Sequence, residues 1–232
     1  YTTVSCLKWN KPTSVDGRQF LSGKAIEQPA VNPPPQRQQL PIEHAWFGRP
    51  YTGEYVSGDL AMVVERDQYV LLAVVDGLGH GPEAHNVAQR ASDFLTAHWT
   101  PDVVSTLQRL HDSLRGSIGA VAGIAVIDRA TGNVDYAGIG NTSYRLFGSR
   151  TVRFVSSAGS LGHQIRTPQK QSHSLCEGDV VVMYTDGVKD RFDQEDYPQL
   201  LHQGPEVVAR RIVEQFGKSH DDSTCLVVRC NG

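Results

Sequence analysis

The stretch Tyr69–Gly81, YVLLAVVDGLGHG, limits more than any other what this chain can become. An unbroken apolar run from Val70 to Val75 ends abruptly in Asp76, and glycines follow at 77, 79 and 81. A run so short and so rich in Val and Leu reads as a strand buried on both faces, so the fold must cover each side of it. Asp76 then stands where the strand leaves the core, and a glycine behind it permits dihedrals or close approaches that a side chain would block. The device recurs. Val180–Val188, VVVMYTDGV, is a second apolar run ending in Asp-Gly, with Asp186 at its lip. In His220–Val228, HDDSTCLVV, the order is reversed, and Asp221 and Asp222 precede the strand. Ser57-Gly58-Asp59 runs into LAMVV as a fourth case. A single aspartate beside a strand ordinarily caps a turn. Four such strand ends point to one shared acidic site.

Bulk properties set outer limits. A chain of 232 residues holds one sizeable domain with a tail, or two small domains. Its 39% hydrophobic and 20% charged residues are ordinary for a soluble globular protein. A formal charge of −3 gives no electrostatic reason to expect nucleic acid or an anionic membrane as partner. No run approaches the ~18 apolar residues of a membrane span. The sequence shows no signal peptide and starts at Tyr1, so it reads as a piece of something longer. Cysteines at 6, 176, 225 and 230 form no CxxC pair and have no His at finger spacing, which argues against zinc and against a disulfide framework. Burial as small hydrophobes in a reducing, cytoplasmic setting is the expectation.

Residues 1–45 differ from the rest. TTVSCLKW alternates as a single strand would, but a lone strand needs a sheet to join. Six of the 12 prolines then fall between Pro12 and Pro41, which reads as an extended linker. From 46 to 232 the pattern is that of a domain. A strand pair covers 54–76 with a charged turn at Glu65-Arg66-Asp67. Pro82 suits a first helical position, and apolar residues from Ala84 to Leu95 recur at helical spacing, which predicts a helix over 82–98. Thr100-Pro101-Asp102 starts a second helix over 101–115. Strands follow at 119–128, 134–140 and 144–147, then a hairpin within 151–176. A last helix, 206–216, ends at Gly217 as a C-terminal cap, before a strand over 224–229. This order lacks regular βα alternation. It predicts an α+β sandwich: two packed, mainly antiparallel sheets with helices outside.

Carboxylates gathered without His or Cys are oxygen-only ligands and suit Mg²⁺, Mn²⁺ or Ca²⁺. Left without a cation they repel one another and take up protons. Two ions roughly 3.5–4 Å apart clamp a phosphate and ionise a water for in-line attack, with no nucleophilic side chain. A structural Ca²⁺ site is the other reading, although EF-hand spacing is absent.

SGD at 57–59, VVDGLGHG at 74–81, YTDGV at 184–188 and DDSTCLVV at 221–228 resemble the motifs of the metal-dependent PPM-type (protein phosphatase 2C-like) serine/threonine phosphatases. The likeness is to their sporulation stage II protein E branch. RGSIGAVAGIAVID at 115–128 and TGNVDYAGIGNTSYRLF at 131–147 extend it, so that it covers about 50–230. The resemblance implies a four-layer αββα sandwich and two ions, Mn²⁺ or Mg²⁺. It implies that Asp76 bridges them, that the Gly77 carbonyl ligates one, and that Asp59, Asp186 and Asp221 complete the shells directly or through water. Asp222 stands beside the matched Asp221 and reads as its support, though the two are exchangeable. The implied substrate is phosphoserine or phosphothreonine on a signalling partner with an anti-sigma-factor-antagonist-type domain. His80 is spaced differently from a proton-donating histidine of some relatives, and reads as a loop residue. A phosphate-gripping arginine has no secure match; Arg49 reads as a surface side chain. YTTVSCLKW resembles the closing strand of RsbT-type serine kinases, which implies a kinase domain upstream in the same chain. A gene with no such domain would refute that expectation.

Three rivals remain on the sequence. A receiver domain also puts Asp at strand ends but requires regular βα alternation, and 119–185 is too rich in strands. A haloacid-dehalogenase-type phosphatase requires a second Asp two residues after its nucleophile, which neither Asp76 nor Asp186 has. The third is a catalytically inactive homologue that serves as a binding module, and the presence of all four aspartates weighs against it.

Overall fold

Why the central strand is apolar on both sides is answered by what it lies between. The computed structural model of the protein describes residues 13–15, 18–20, 39–192 and 201–231. The chain divides into two units, Tyr1–Arg37 and Gln38–Gly232. In the first, β1 (Thr13–Val15) and β2 (Arg18–Phe20) pair antiparallel, a short hairpin inside the segment read as linker. The TTVSCLKW strand lies outside the described residues.

The second unit runs β3 (Ile42–Arg49), β4 (Asp59–Arg66), β5 (Tyr69–Gly77), α1 (Gly81–His98), α2 (Val103–Ser113), β6 (Ala120–Asp128), β7 (Asn133–Ile139) and β8 (Ser143–Phe147). It continues with β9 (Val152–Phe154), β10 (Gln171–Ser174), β11 (Val180–Tyr184), α3 (Pro205–Phe216) and β12 (Ser223–Cys230). Two five-stranded antiparallel sheets result, ordered β10-β7-β6-β5-β4 and β3-β12-β11-β8-β9.

Side chains alternate across a strand, and here both alternations are apolar. Leu71, Ala73 and Val75 of β5 pack with Leu95 of α1 and Leu107 and Leu110 of α2. Val70, Leu72 and Val74 turn the other way, into a core shared with Val181, Met183, Leu226 and Val228 of the second sheet. That sheet repeats the device: Val180, Val182, Cys225 and Val227 face Val208, Ile212 and Val213 of α3. The layers are α, β, β, α. Asp102 caps α2, its carboxylate accepting from the backbone N–H of Val104 and Ser105 at 3.0 and 3.1 Å.

Three expectations need correction. Residues 42–45 are not linker: β3 begins at Ile42 and pairs with β12 from Ile42↔Cys230 to Arg49↔Ser223. The hairpin turn is Asp67-Gln68, because Glu65 and Arg66 still pair with Val70 and Tyr69. No hairpin joins the two halves of 151–176. β9 pairs with β8 and β10 pairs with β7, so the chain crosses from one sheet to the other between them. Phe154 ends in the inter-sheet core against Tyr144, ring centroids 5.0 Å apart, and periodicity alone does not reveal which sheet such a strand joins. Gly217 caps α3 as expected, with an extended φ of −66°; glycine is needed there because a Cβ would overlap the Val213 carbonyl and crowd the Arg49 guanidinium.

Among the described residues no helix is long and apolar enough to cross a membrane. Truncating the fully buried Leu72 to alanine removes inter-sheet packing and is expected to cost about 2–5 kcal/mol of unfolding free energy in a denaturant titration. A cost under about 1 kcal/mol would contradict the two-faced burial of β5.

Candidate metal centre

Both Asp-Gly strands and both aspartate-led strands finish at one end of the sandwich. Asp59 opens β4 and Asp76 closes β5 almost at its end, and the two are direct cross-strand partners. In the second sheet Tyr184, the last residue of β11, lies opposite Cys225 of β12. Asp186 therefore leaves that sheet where Asp221 and Asp222 enter it. A side-chain hydrogen bond joins the two rims: the Thr185 hydroxyl donates to Asp59 Oδ2 at 2.6 Å. Thr185 is itself fixed, because its hydroxyl oxygen accepts from the Thr224 N–H at 3.1 Å and its own N–H donates to the Thr224 carbonyl.

The glycines matter for space rather than for dihedrals. Neither Gly77 nor Gly187 has a positive φ. A Cβ at Gly77 would overlap the Ala84 backbone of α1, and one at Gly187 would overlap the Asp222 carbonyl oxygen. The chain at each Asp-Gly thus touches its neighbour backbone to backbone, which holds the aspartate in place.

The carboxylates have different tasks. Asp222 is buried, and its two oxygens accept from the Tyr51 and Gly58 backbone N–H groups at 2.8 and 3.0 Å, tying the approach to β4 onto β12. Asp59 is deep, while Asp76, Asp186 and Asp221 are partly exposed at the lip. Asn141 donates from Nδ2 to Asp186 Oδ2 at 2.7 Å. Lys218 Nζ stands 3.7 Å from Asp221 Oδ2. Asn141, Thr185 and Lys218 were not singled out from sequence, since an amide, a hydroxyl and an ammonium supporting a carboxylate leave no spacing signature.

Burial first, and the Asp76 charge next, push the Asp59 carboxyl well above the usual carboxylate range, against the Thr185 hydrogen bond. Burial, then the charges of Asp186, Asp221 and Asp222, push Asp76 up to about 8, with Lys218 opposing. Burial and Asp186 likewise raise Asp221. Negative charge is thus gathered here beyond what its neighbours neutralise, and a divalent cation would relieve it. Among the described residues no three His, Cys, Asp or Glu side chains close into a finished ligand cage. A site that completes its shells with water has no need of one, because Mg²⁺ gives up its waters reluctantly and is held through one or two carboxylates. The oxygen-only donor set fits Mg²⁺ or Mn²⁺.

His80 and Arg49 are both engaged. His80 Nδ1 lies 2.9 Å from Glu54 Oε1 and its ring stacks on Tyr51 at 4.6 Å. Arg49 is half-buried rather than a free surface residue, and its Nη2 donates to the Lys218 carbonyl at 2.7 Å.

Two antiparallel sheets face to face with helices outside are the fold of the PP2C-type phosphatases. The model of the stage II sporulation protein E (SpoIIE) family matches residues 66–231, more than half of the chain, and the protein belongs to that family. Phosphoserine phosphatase RsbX of Bacillus subtilis (strain 168) is 27% identical over 139 residues, which span 59% of this chain and 69% of RsbX. A chain solved in work on the bacterial stressosome as a modular system adapted to control secondary messenger signalling matches with a TM-score of 0.76 at 28% identity, covering 82% of this chain and 100% of that one. RsbX in complex with magnesium matches with a TM-score of 0.71 at 20% identity over 82% of this chain and 96% of that one, a likeness of fold.

The raised carboxyls have a measurable consequence. A folded-state value of about 8 for Asp76, against 3.8 when unperturbed, means the folded protein holds extra protons between those limits. That stability is fully present below 3.8 and is lost as pH rises through about 8. In EDTA the melting temperature should therefore be lower at pH 8 than at pH 6, and excess Mg²⁺ should remove most of that difference. Equal melting temperatures at the two pH values in EDTA would contradict the crowding of charge at the rim.

Proposed function

We propose that the protein is a metal-dependent serine/threonine phosphatase acting on a phosphorylated signalling protein. The observation that carries this reading is the meeting of aspartates from four strand ends at one rim, with the carboxyls of Asp59, Asp76 and Asp221 raised by burial and by neighbouring charge. Family membership and the likeness to a phosphoserine phosphatase support it.

In this reading Asp59, Asp76, Asp186 and Asp221, with the carbonyl of Gly77, hold two ions, Mg²⁺ or Mn²⁺. Such a pair supplies Lewis acidity toward the phosphoryl oxygens and an acidified water for in-line attack. The chain's own part is to fix the donors. Thr185 holds one oxygen of Asp59, Asn141 holds one oxygen of Asp186, and Asp222 clamps the backbone on which Asp59 stands. Rigid donors spare the site reorganisation as charge develops. No side chain at the rim serves as nucleophile in this scheme. The likeness to a chain from work on the bacterial stressosome supports a stressosome partner as the phosphoprotein, and the sequence resemblance adds that it is of the anti-sigma-factor-antagonist type.

The test is hydrolysis of a phosphoserine peptide and of p-nitrophenyl phosphate with Mn²⁺, then with EDTA, by the wild type and by Asp186→Asn. Turnover should need the metal, and the substitution should lower kcat/KM at least about a hundredfold, on the scale of losing a preorganised electrostatic group. Metal binding without turnover of either compound would leave two readings, strict specificity for a folded phosphoprotein or a binding module in place of an enzyme.

A further inference from the structure

The segment that crosses between the sheets, 155–170, lies against the acidic rim and is built as a surface of its own. At one end the Ser157 carbonyl accepts from the Gly140 N–H at 2.8 Å, one residue from Asn141, the partner of Asp186. At the other, Leu161 and Ala120 exchange backbone hydrogen bonds of 2.7 and 3.2 Å, and Ala120 is the cross-strand partner of Gly77. The segment thus runs along the rim from the Asp186 side to the Asp76 side. Leu161 is buried in the core under α1 and α2, which fixes it there.

Its outer face is hollowed. An open cleft of about 750 Å³ is lined by Ser156, Ser157, Ile165, Arg166, Thr167 and Gln169 among others, and an adjoining hollow of about 220 Å³ shares Ile165 and Arg166 with it. Val155, beside the cleft, is 70% exposed. The Arg166 backbone is pinned by its N–H to the Ala158 carbonyl at 2.9 Å. Its side chain is exposed, and among the described residues the guanidinium has no hydrogen-bond or ion-pair partner. Among the described residues it is the one charged group in the lining of either hollow.

Resting on the phosphatase reading above, we propose that this cleft seats the stretch of the phosphoprotein flanking the phosphorylated residue. Arg166 selects an acidic side chain there. A free cation beside an acidic rim is complementary to a negatively charged flank and opposes a basic one. Charge complementarity at an exposed rim tunes partner choice more than total affinity. Val155 and Ile165 offer apolar contact to the same segment, while the serines, Thr167 and Gln169 offer hydrogen bonds to an extended backbone.

The experiment compares two phosphoserine peptides identical except for glutamates or lysines flanking the phosphoserine, each with Mn²⁺ and the full chain. The readout is the ratio of kcat/KM for the acidic over the basic peptide. For an exposed ion pair the wild-type ratio should be about threefold or more, and Arg166→Glu should bring it to unity or below. Arg211→Glu, which alters an exposed cation on α3, on the far side of the second sheet, should leave the ratio as it is in the wild type. The same labelled peptides are also titrated in EDTA and followed by fluorescence anisotropy, where Arg166→Glu should reverse the preference without any turnover. A ratio that Arg166→Glu leaves unchanged, or that Arg211→Glu changes equally, overturns the proposal. Absence of turnover of p-nitrophenyl phosphate by the wild type would instead refute the phosphatase reading, and the EDTA titration would still decide the docking.

Discussion

Like charges held together at the edge of a low-dielectric core are the constraint on which the rest of this structure depends. The carboxylates of Asp59, Asp76 and Asp221 are worse off folded than free, because burial removes water and their neighbours repel them. Asp59 and Asp76 bear this most, as adjacent cross-strand partners at the closed end of the first sheet. A protein keeps such an arrangement only if the surrounding packing is strong enough to hold it. Here that packing is supplied by strands apolar on both faces, with one core between the sheets and one under the helices on each side.

The layering also explains why the aspartates meet. A strand covered on both faces has no polar face on which to carry function, so its chemistry goes to its ends. Three such strands, β5, β11 and β12, and the edge strand β4 end at the same rim, and the sheets are locked in register there by polar contacts. Thr185 reaches from the second sheet to Asp59 in the first, and Asp222 grips the Tyr51 and Gly58 amides. The rim is thus divided into carboxylates that hold the scaffold and carboxylates that face outward. The donors and their supports are set by backbone contacts at Gly77 and Gly187 that leave no room for a side chain.

Much of this was legible in the sequence because the signals are local. Period-two burial on both faces of β5, β11 and β12 gives apolar runs, and the helices of α1, α2 and α3 show their own spacing. The Asp-Gly steps marked strand ends. What was not legible is what depends on a partner far along the chain. Asn141 meets Asp186 across 45 positions and Thr185 meets Asp59 across 126, and neither residue type announces such a bond. The crossing at 155–170 looked like a hairpin because β9 and β10 have strand character, while the choice of neighbour is made by Phe154 entering the inter-sheet core. Gly217 was legible as the cap of α3, but only the packing of Val213 and Arg49 against it reveals the demand for space.

The central claim is that the four-strand rim is a two-ion site, and anomalous diffraction from crystals soaked in Mn²⁺ addresses it most directly. The account predicts two peaks roughly 3.5–4 Å apart, within reach of Asp59, Asp76, Asp186 and Asp221, and their loss in Asp76→Asn. Manganese bound elsewhere on the protein with the rim empty at saturating Mn²⁺ would contradict it.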